Sequence, residues 1–115
     1  MKIDWDKIEI FIKPGSTDMR KQINALSVYV DEESMGDPLS GNLYVFCGKN
    51  RKTIKALYWD RNGFCLWQKR LELDNFPWPR DGGEARKITN EQLSMLLDGI
   101  DFFKAHKKLN FFSVQ

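Results

Sequence analysis

The 115-residue sequence predicts a small α+β domain, a mainly antiparallel sheet of four to five strands with one long helix packed on a face and a shorter C-terminal helix. Three observations predict it. Near the N-terminus a stretch of period-two hydrophobicity gives way to one of helical period. From residue 42 to 71, three runs rich in Tyr, Val, Phe, Ile and Trp follow at hairpin spacing, and a capped helical pattern comes near the end. A chain of this length supports one core, and 42% hydrophobic with 30% charged residues is an ordinary globular composition.

Ile8, Ile10 and Ile12 alternate with Glu9, Phe11 and Lys13, which predicts a half-buried strand ended by Pro14-Gly15. Ser16, Thr17 and Asp18 offer a helix N-cap. Met19, Ile23, Leu26 and Val30 then recur on one helical face, so a helix is predicted over residues 18–32, with Arg20, Lys21, Gln22 and Asn24 on its polar side. Acidic Asp31, Glu32 and Glu33 lead into a loop through Gly36-Asp37-Pro38-Leu39-Ser40-Gly41. Strands are predicted over 42–47, 53–60 and 63–71. The connections Gly48-Lys49-Asn50-Arg51 and Asp60-Arg61-Asn62-Gly63 carry the Asn and Gly that tolerate positive φ, so the run reads as an antiparallel meander of two hairpins. Parallel pairing within it would need long crossovers that it lacks. On the middle strand Ile54, Ala56 and Tyr58 face one way and Lys55, Leu57 and Trp59 the other.

Phe76-Pro77-Trp78-Pro79 cannot pair regularly in a ladder and carries two large rings that need cover, which predicts a strap across an edge of the sheet. Arg80-Asp81-Gly82-Gly83 reads as a turn and Glu84 to Ile88 as a short strand. Thr89-Asn90-Glu91-Gln92 has capping-box spacing before Leu93, Leu96, Leu97 and Ile100, so a second helix ends near Gly99, on an edge or on the same face as the first. One domain over residues 1–103 and a loosely held basic and aromatic tail over 104–115 complete the organisation.

Formal net charge is only +2, from 18 basic and 16 acidic residues, so attraction to a polyanion must come from local clustering. Such a cluster runs from Lys49 to Glu72. Lys49, Arg51, Lys52, Lys55, Arg61, Lys69 and Arg70 are opposed there only by Asp60 and Glu72, with Tyr58, Trp59, Phe64 and Trp67 among them. Basic side chains neutralise phosphate and rings stack on bases, so this pattern suits nucleic acid. It also suits a solvated sheet whose lysines block edge pairing, or a protein interface anchored by Trp, Tyr and Arg.

Other chemistries find less support. The charged N-terminus reads as no secretory signal, and no run of about 18 apolar residues is present, so a cytoplasmic protein that does not enter membranes is expected. Cys47 and Cys65 read as small apolar core residues, and His106 as a solvated side chain without a catalytic partner. Asp18, Asp60, Glu72 and Asp74 would have to converge to hold a divalent cation for nuclease chemistry, but each has a simpler place in a cap, turn or surface segment. No glycine-rich phosphate loop occurs. No catalytic residue, cofactor or metal is therefore expected.

Read together, Thr17-Asp18-Met19-Arg20-Lys21, Phe46-Cys47-Gly48-Lys49-Asn50-Arg51, the run from Lys55 to Glu72, and Phe76-Pro77-Trp78-Pro79 resemble TnpB, the second-reading-frame accessory protein of bacterial insertion sequences of family 66. The similarity spans about Ile10 to Ile100 and leaves the tail after Phe103 outside. It implies a part in DNA transposition beside a separate transposase that supplies the strand chemistry, and it implies no catalytic residues. Where relatives often carry an arginine-rich turn, Lys49 and Lys52 keep the charge but lose arginine's planar fork.

The resulting expectation is a non-catalytic accessory protein of transposition. It contacts transposon DNA or RNA through Lys49, Arg51, Lys52, Lys55, Arg61, Lys69 and Arg70, extended by Arg20 and Lys21, with Tyr58, Trp59 and Trp67 as stacking rings. The alternative is an adaptor that binds the cognate transposase without touching nucleic acid. Oligomeric state stays open.

Overall fold

Ile10 and Ile12 point into one core and Phe11 between them into another, and this alternation makes the first strand. The structure, a computed structural model, describes residues 4–100. Its elements are β1 (Ile10–Ile12), α1 (Ile23–Glu32), β2 (Leu43–Cys47), β3 (Thr53–Asp60), β4 (Gly63–Arg70), β5 (Arg86–Ile88) and α2 (Asn90–Leu97). They build one five-stranded sheet in the order β4-β3-β2-β1-β5. The predicted meander is present, with β2, β3 and β4 antiparallel in turn. β1 lies parallel to β2, which the intervening α1 segment makes possible by carrying the chain back along the sheet.

The two faces of the sheet bury different sets. On one side Leu26 and Val30 of α1 pack with Met35, Tyr44, Phe46 and Leu57. On the other, Ile10, Ile12, Leu43, Val45, Cys47, Ile54, Ala56 and Tyr58 pack with Phe76, Trp78, Ile88 and Leu93 and Leu96 of α2. Each large apolar side chain removed from water contributes roughly 1.5–3 kcal/mol. α2 thus lies on the face opposite α1, against the expectation of an edge or the same face. Its three-to-four spacing alone does not say which face of a two-sided sheet still lacks cover.

α1 starts five residues later than predicted, at Ile23, and its N-cap Gln22 makes no side-chain cap. The preceding polar groups are otherwise engaged. The Asp18 carboxylate accepts the Arg20 N–H at 2.9 Å, and the Thr17 N–H is given to the Cys47 carbonyl at 2.8 Å. The Met19 and Lys21 carbonyls, which a longer helix would offer to residues 23 and 25, accept from the Lys55 ammonium at 2.8 Å each. α2 is as predicted: Thr89 Oγ1 accepts from the Gln92 N–H at 3.0 Å and Gln92 Oε1 from the Thr89 N–H at 2.9 Å, a complete capping box.

The Phe76–Pro79 strap crosses the end of the sheet, from β4 at one edge toward β5 at the other, rather than covering an edge. The Phe76 N–H bonds the Arg51 carbonyl, the Gly15 N–H bonds the Pro79 carbonyl at 2.8 Å, and the Trp78 indole N–H bonds the Lys13 and Gly15 carbonyls at 3.0 Å each. Among the described residues no helix is long and apolar enough to cross a membrane. The expected tail over 104–115, with its boundary and His106, lies outside the described residues.

Candidate nucleic-acid interface

Three segments meet at the end of the sheet where β1 and β2 finish and β3 begins. They are the chain leaving β1, the β2–β3 turn, and the strap. Two glycines allow the approach. Gly15 has φ +80 and a Cβ there would meet Gly82 Cα at 3.1 Å, while a Cβ on Gly48 would meet Met19 Cγ at 2.7 Å. The turn itself is closed by the Arg51 N–H on the Gly48 carbonyl and by Asn50 Oδ1 accepting from the Lys52 N–H at 3.1 Å, with Arg51 held at φ +59. Between the segments lies a cleft of about 320 Å³ lined by Gly15, Ser16, Gly48, Lys49, Arg51, Trp78, Pro79 and Arg80. A wider groove adjoins it through Ser16, Gly48 and Lys49 and continues along Thr17, Asp18, Met19, Asn50 and Thr53.

The basic residues singled out from sequence do not form one surface. Lys49 is exposed and Arg51 half-buried at the cleft, and neither side chain has a carboxylate or hydrogen-bond partner among the described residues. Lys52, half-buried beside them, reaches Asn75 Oδ1 at 3.1 Å. Arg70, at the same end of β4, pairs with Glu72 at 3.0 Å. Arg20 grips Asp18 at 2.8 Å, and Lys21 sits 5.2 Å over the Tyr29 ring. Hydrogen bonds from the Arg20 side chain and backbone hold the exposed Asp18 carboxyl at about 2, well below the usual carboxylate range.

Three residues leave the set. Lys55 is 2% exposed, its charge spent on two backbone carbonyls; burial pushes its ammonium down while the Asp18 charge opposes the shift. Lys69 points to the α2 face and donates to the Leu97 carbonyl at 3.0 Å, where a cation favours a helix C-terminus. Arg61 sits in the β3–β4 turn at the far end of the sheet, roughly 25 Å from the cleft at about 3.3 Å per strand residue, beside Asp60. A window of sequence counts all seven charges together, but strand alternation and reversal send them to two faces and two ends.

The rings divide similarly. Tyr58 is 8% exposed in the α2-side core, and desolvation pushes its hydroxyl up to about 12, so it offers no stacking face. Trp59 is half-buried and meets Phe64 edge-on at 5.0 Å, near the far turn. Trp67 is 44% exposed, but it lines an apolar groove with Trp5, Leu43, Ala56, Tyr58 and Leu97 on the α2 face, away from the cleft.

Asp60 and Glu72 stand at opposite ends of β4, roughly 25 Å apart by strand length, so they cannot share an ion. No group of three His, Cys, Asp or Glu among the described residues is placed to hold a metal. Cys47 is fully buried, and desolvation pushes its thiol up to about 12; Cys65 is half-buried against the same core.

Sequence reasoning misses Arg80, which it places only in a turn. It lines the same cleft as Lys49 and Arg51 and likewise has no carboxylate or hydrogen-bond partner among the described residues. Its signal was present in the two prolines and two rings before it, which fix the path of the chain and hence where the next side chain emerges.

The sequence, compared with known proteins, falls in a family. The chain is 41% identical over 95 residues to "Uncharacterized protein y4hO" of Sinorhizobium fredii (strain NBRC 101917 / NGR234), covering 83% of each. It is 29% identical over 101 residues to "Uncharacterized protein y4jC" of the same organism, covering 88% of this chain and 86% of that one. No solved structure matches it. The family described as IS66 Orf2 like protein matches residues 8–107, a span that enters the segment read as tail. The chain therefore belongs to the IS66 Orf2-like family of insertion-sequence accessory proteins.

Proposed function

We propose that this protein is a non-catalytic accessory factor of transposition, acting in the bacterial cytoplasm, that holds nucleic acid at the cleft end of its sheet. Lys49 and Arg51 provide the contact, with Lys52, Arg70, Arg20 and Lys21 around them. The observation that carries this reading is that the Lys49 and Arg51 side chains line one cleft with no carboxylate or hydrogen-bond partner among the described residues, whereas the neighbouring cations are engaged within the protein. Cations left unneutralised in a concave site raise the local concentration of anions.

The test is binding of DNA from the element's ends, measured across salt concentrations for the wild type and for Lys49→Ala/Arg51→Ala. Affinity should fall steeply with salt, and the double variant should bind more weakly, with a slope smaller by about 2. A second reading, an adaptor for the transposase, is favoured by the apolar groove around exposed Trp5 and Trp67. An interface built on those rings would keep the transposase bound at high salt whether or not DNA is held, so the same titration with added transposase separates the two.

A further inference from the structure

We propose that the cleft between Ser16, Lys49, Arg51 and Arg80 is a seat for one phosphate group of a nucleic-acid strand, with the adjoining nucleoside in the groove beside Thr17. This rests on the nucleic-acid reading above and adds Arg80 and Thr17, which that reading does not use.

Three basic residues line it, Lys49, Arg51 and Arg80, and none of their side chains pairs with a carboxylate among the described residues. Like charges lining one cleft repel when they approach, so an anion between them is favoured. Two guanidinium groups and one ammonium match phosphate better than a lone carboxylate, because each guanidinium fork can donate to two oxygens of the same group. A volume of about 320 Å³ takes a phosphate and its ester substituents.

The neighbouring groove has a different character. It contains Asp18, whose charge is taken up by Arg20, and that pair supplies no net positive charge to draw in a second phosphate. It also contains Thr17, whose hydroxyl is the buried side-chain polar atom left without a partner among the described residues. Thr17 is 3% exposed and its hydroxyl is closed off from solvent, so a sugar hydroxyl or base edge that relieves the standing cost of this unmade hydrogen bond must first part the groove wall there. The walls of the cleft itself are fixed before any ligand arrives. Trp78 is pinned by two indole hydrogen bonds and Gly15 by the Pro79 carbonyl, so Arg80 leaves a strap that does not need ordering.

The experiment compares wild type, Arg80→Ala, Arg80→Lys and Lys87→Ala for binding a fluorescent single-stranded oligonucleotide at low salt. Arg80 is exposed, so its variants should fold, which circular dichroism checks. Lys87 is a comparable exposed cation paired with Glu9 on β5, away from the cleft. Arg80→Ala should weaken binding by about tenfold, Arg80→Lys by less, and Lys87→Ala by under about twofold. Orthophosphate should compete with the oligonucleotide and shift the amide resonances of Ser16, Thr17 and Lys49 saturably in wild type, and not in Arg80→Ala. If Arg80→Ala binds like wild type while Lys49→Ala/Arg51→Ala is weakened, the phosphate seat is overturned and the broader surface stands. If Arg80→Ala and Lys87→Ala weaken binding equally, the effect is one of general charge and the seat is again overturned. If wild type binds no oligonucleotide, the nucleic-acid reading falls and takes the seat with it.

Discussion

Lys49 and Lys55 lie six residues apart in one basic stretch, yet Lys49 faces solvent at a cleft and Lys55 is buried with its ammonium on the Met19 and Lys21 carbonyls. Charge alone did not separate them, because a lysine on a strand face is solvated or sequestered according to what packs above it, and α1 with its leading turn packs above Lys55. Lys55→Ala should therefore act on the fold. Loss of two charge-assisted hydrogen bonds should lower stability by about 2–4 kcal/mol in denaturant titration, and an unchanged midpoint would contradict the assigned role. Asp18 gives a pH-dependent check on the same turn. Its folded value of about 2 lies below the ordinary 3.8, so the ionised carboxylate's contribution is complete above 3.8 and is lost as pH falls through about 2. Asp18→Asn should melt below wild type at pH 6, with the gap closing toward pH 2; a gap that persists there would show that the charge is irrelevant.

The elements that were readable from sequence are those whose partners are close in the chain. β2, β3 and β4 follow one another through short turns with Asn and Gly, so each strand's alternation and each turn's chemistry agree, and their boundaries came out within a residue or so. The capping box of α2 is local in the same sense. Thr89→Ala should cost about 1 kcal/mol in equilibrium unfolding and loosen α2 in hydrogen exchange, and no change in either would contradict the cap. α1 failed at its start for the opposite reason. The Thr17 N–H is taken by β2 and the Met19 and Lys21 carbonyls by β3, partners some thirty residues or more away. β1 pairing parallel with β2 was equally hidden, since that choice depends on where the α1 connection returns the chain.

Across the whole molecule, the sheet sorts the charges more than the sequence does. The reversal at Asp60 to Gly63 carries Arg61 to the far end of the sheet, alternation sends Lys69 to the α2 face and Lys55 into the core, and the strap brings in Arg80 from thirty residues away. What was one basic hairpin in the sequence is divided in the fold, with Lys49 and Arg51 left at the cleft end and the exposed rings Trp5 and Trp67 on a different face. Membership in an insertion-sequence accessory family gives the protein a setting in transposition. The most direct test of the site is fluorescence anisotropy with DNA from the element's end, comparing Lys49→Ala/Arg51→Ala at the cleft with Arg61→Ala at the far turn. The account predicts a loss of affinity of about tenfold or more, with a shallower salt slope, for the cleft variant and little change for Arg61→Ala. Equal losses from both ends, or none from the cleft variant, would contradict it.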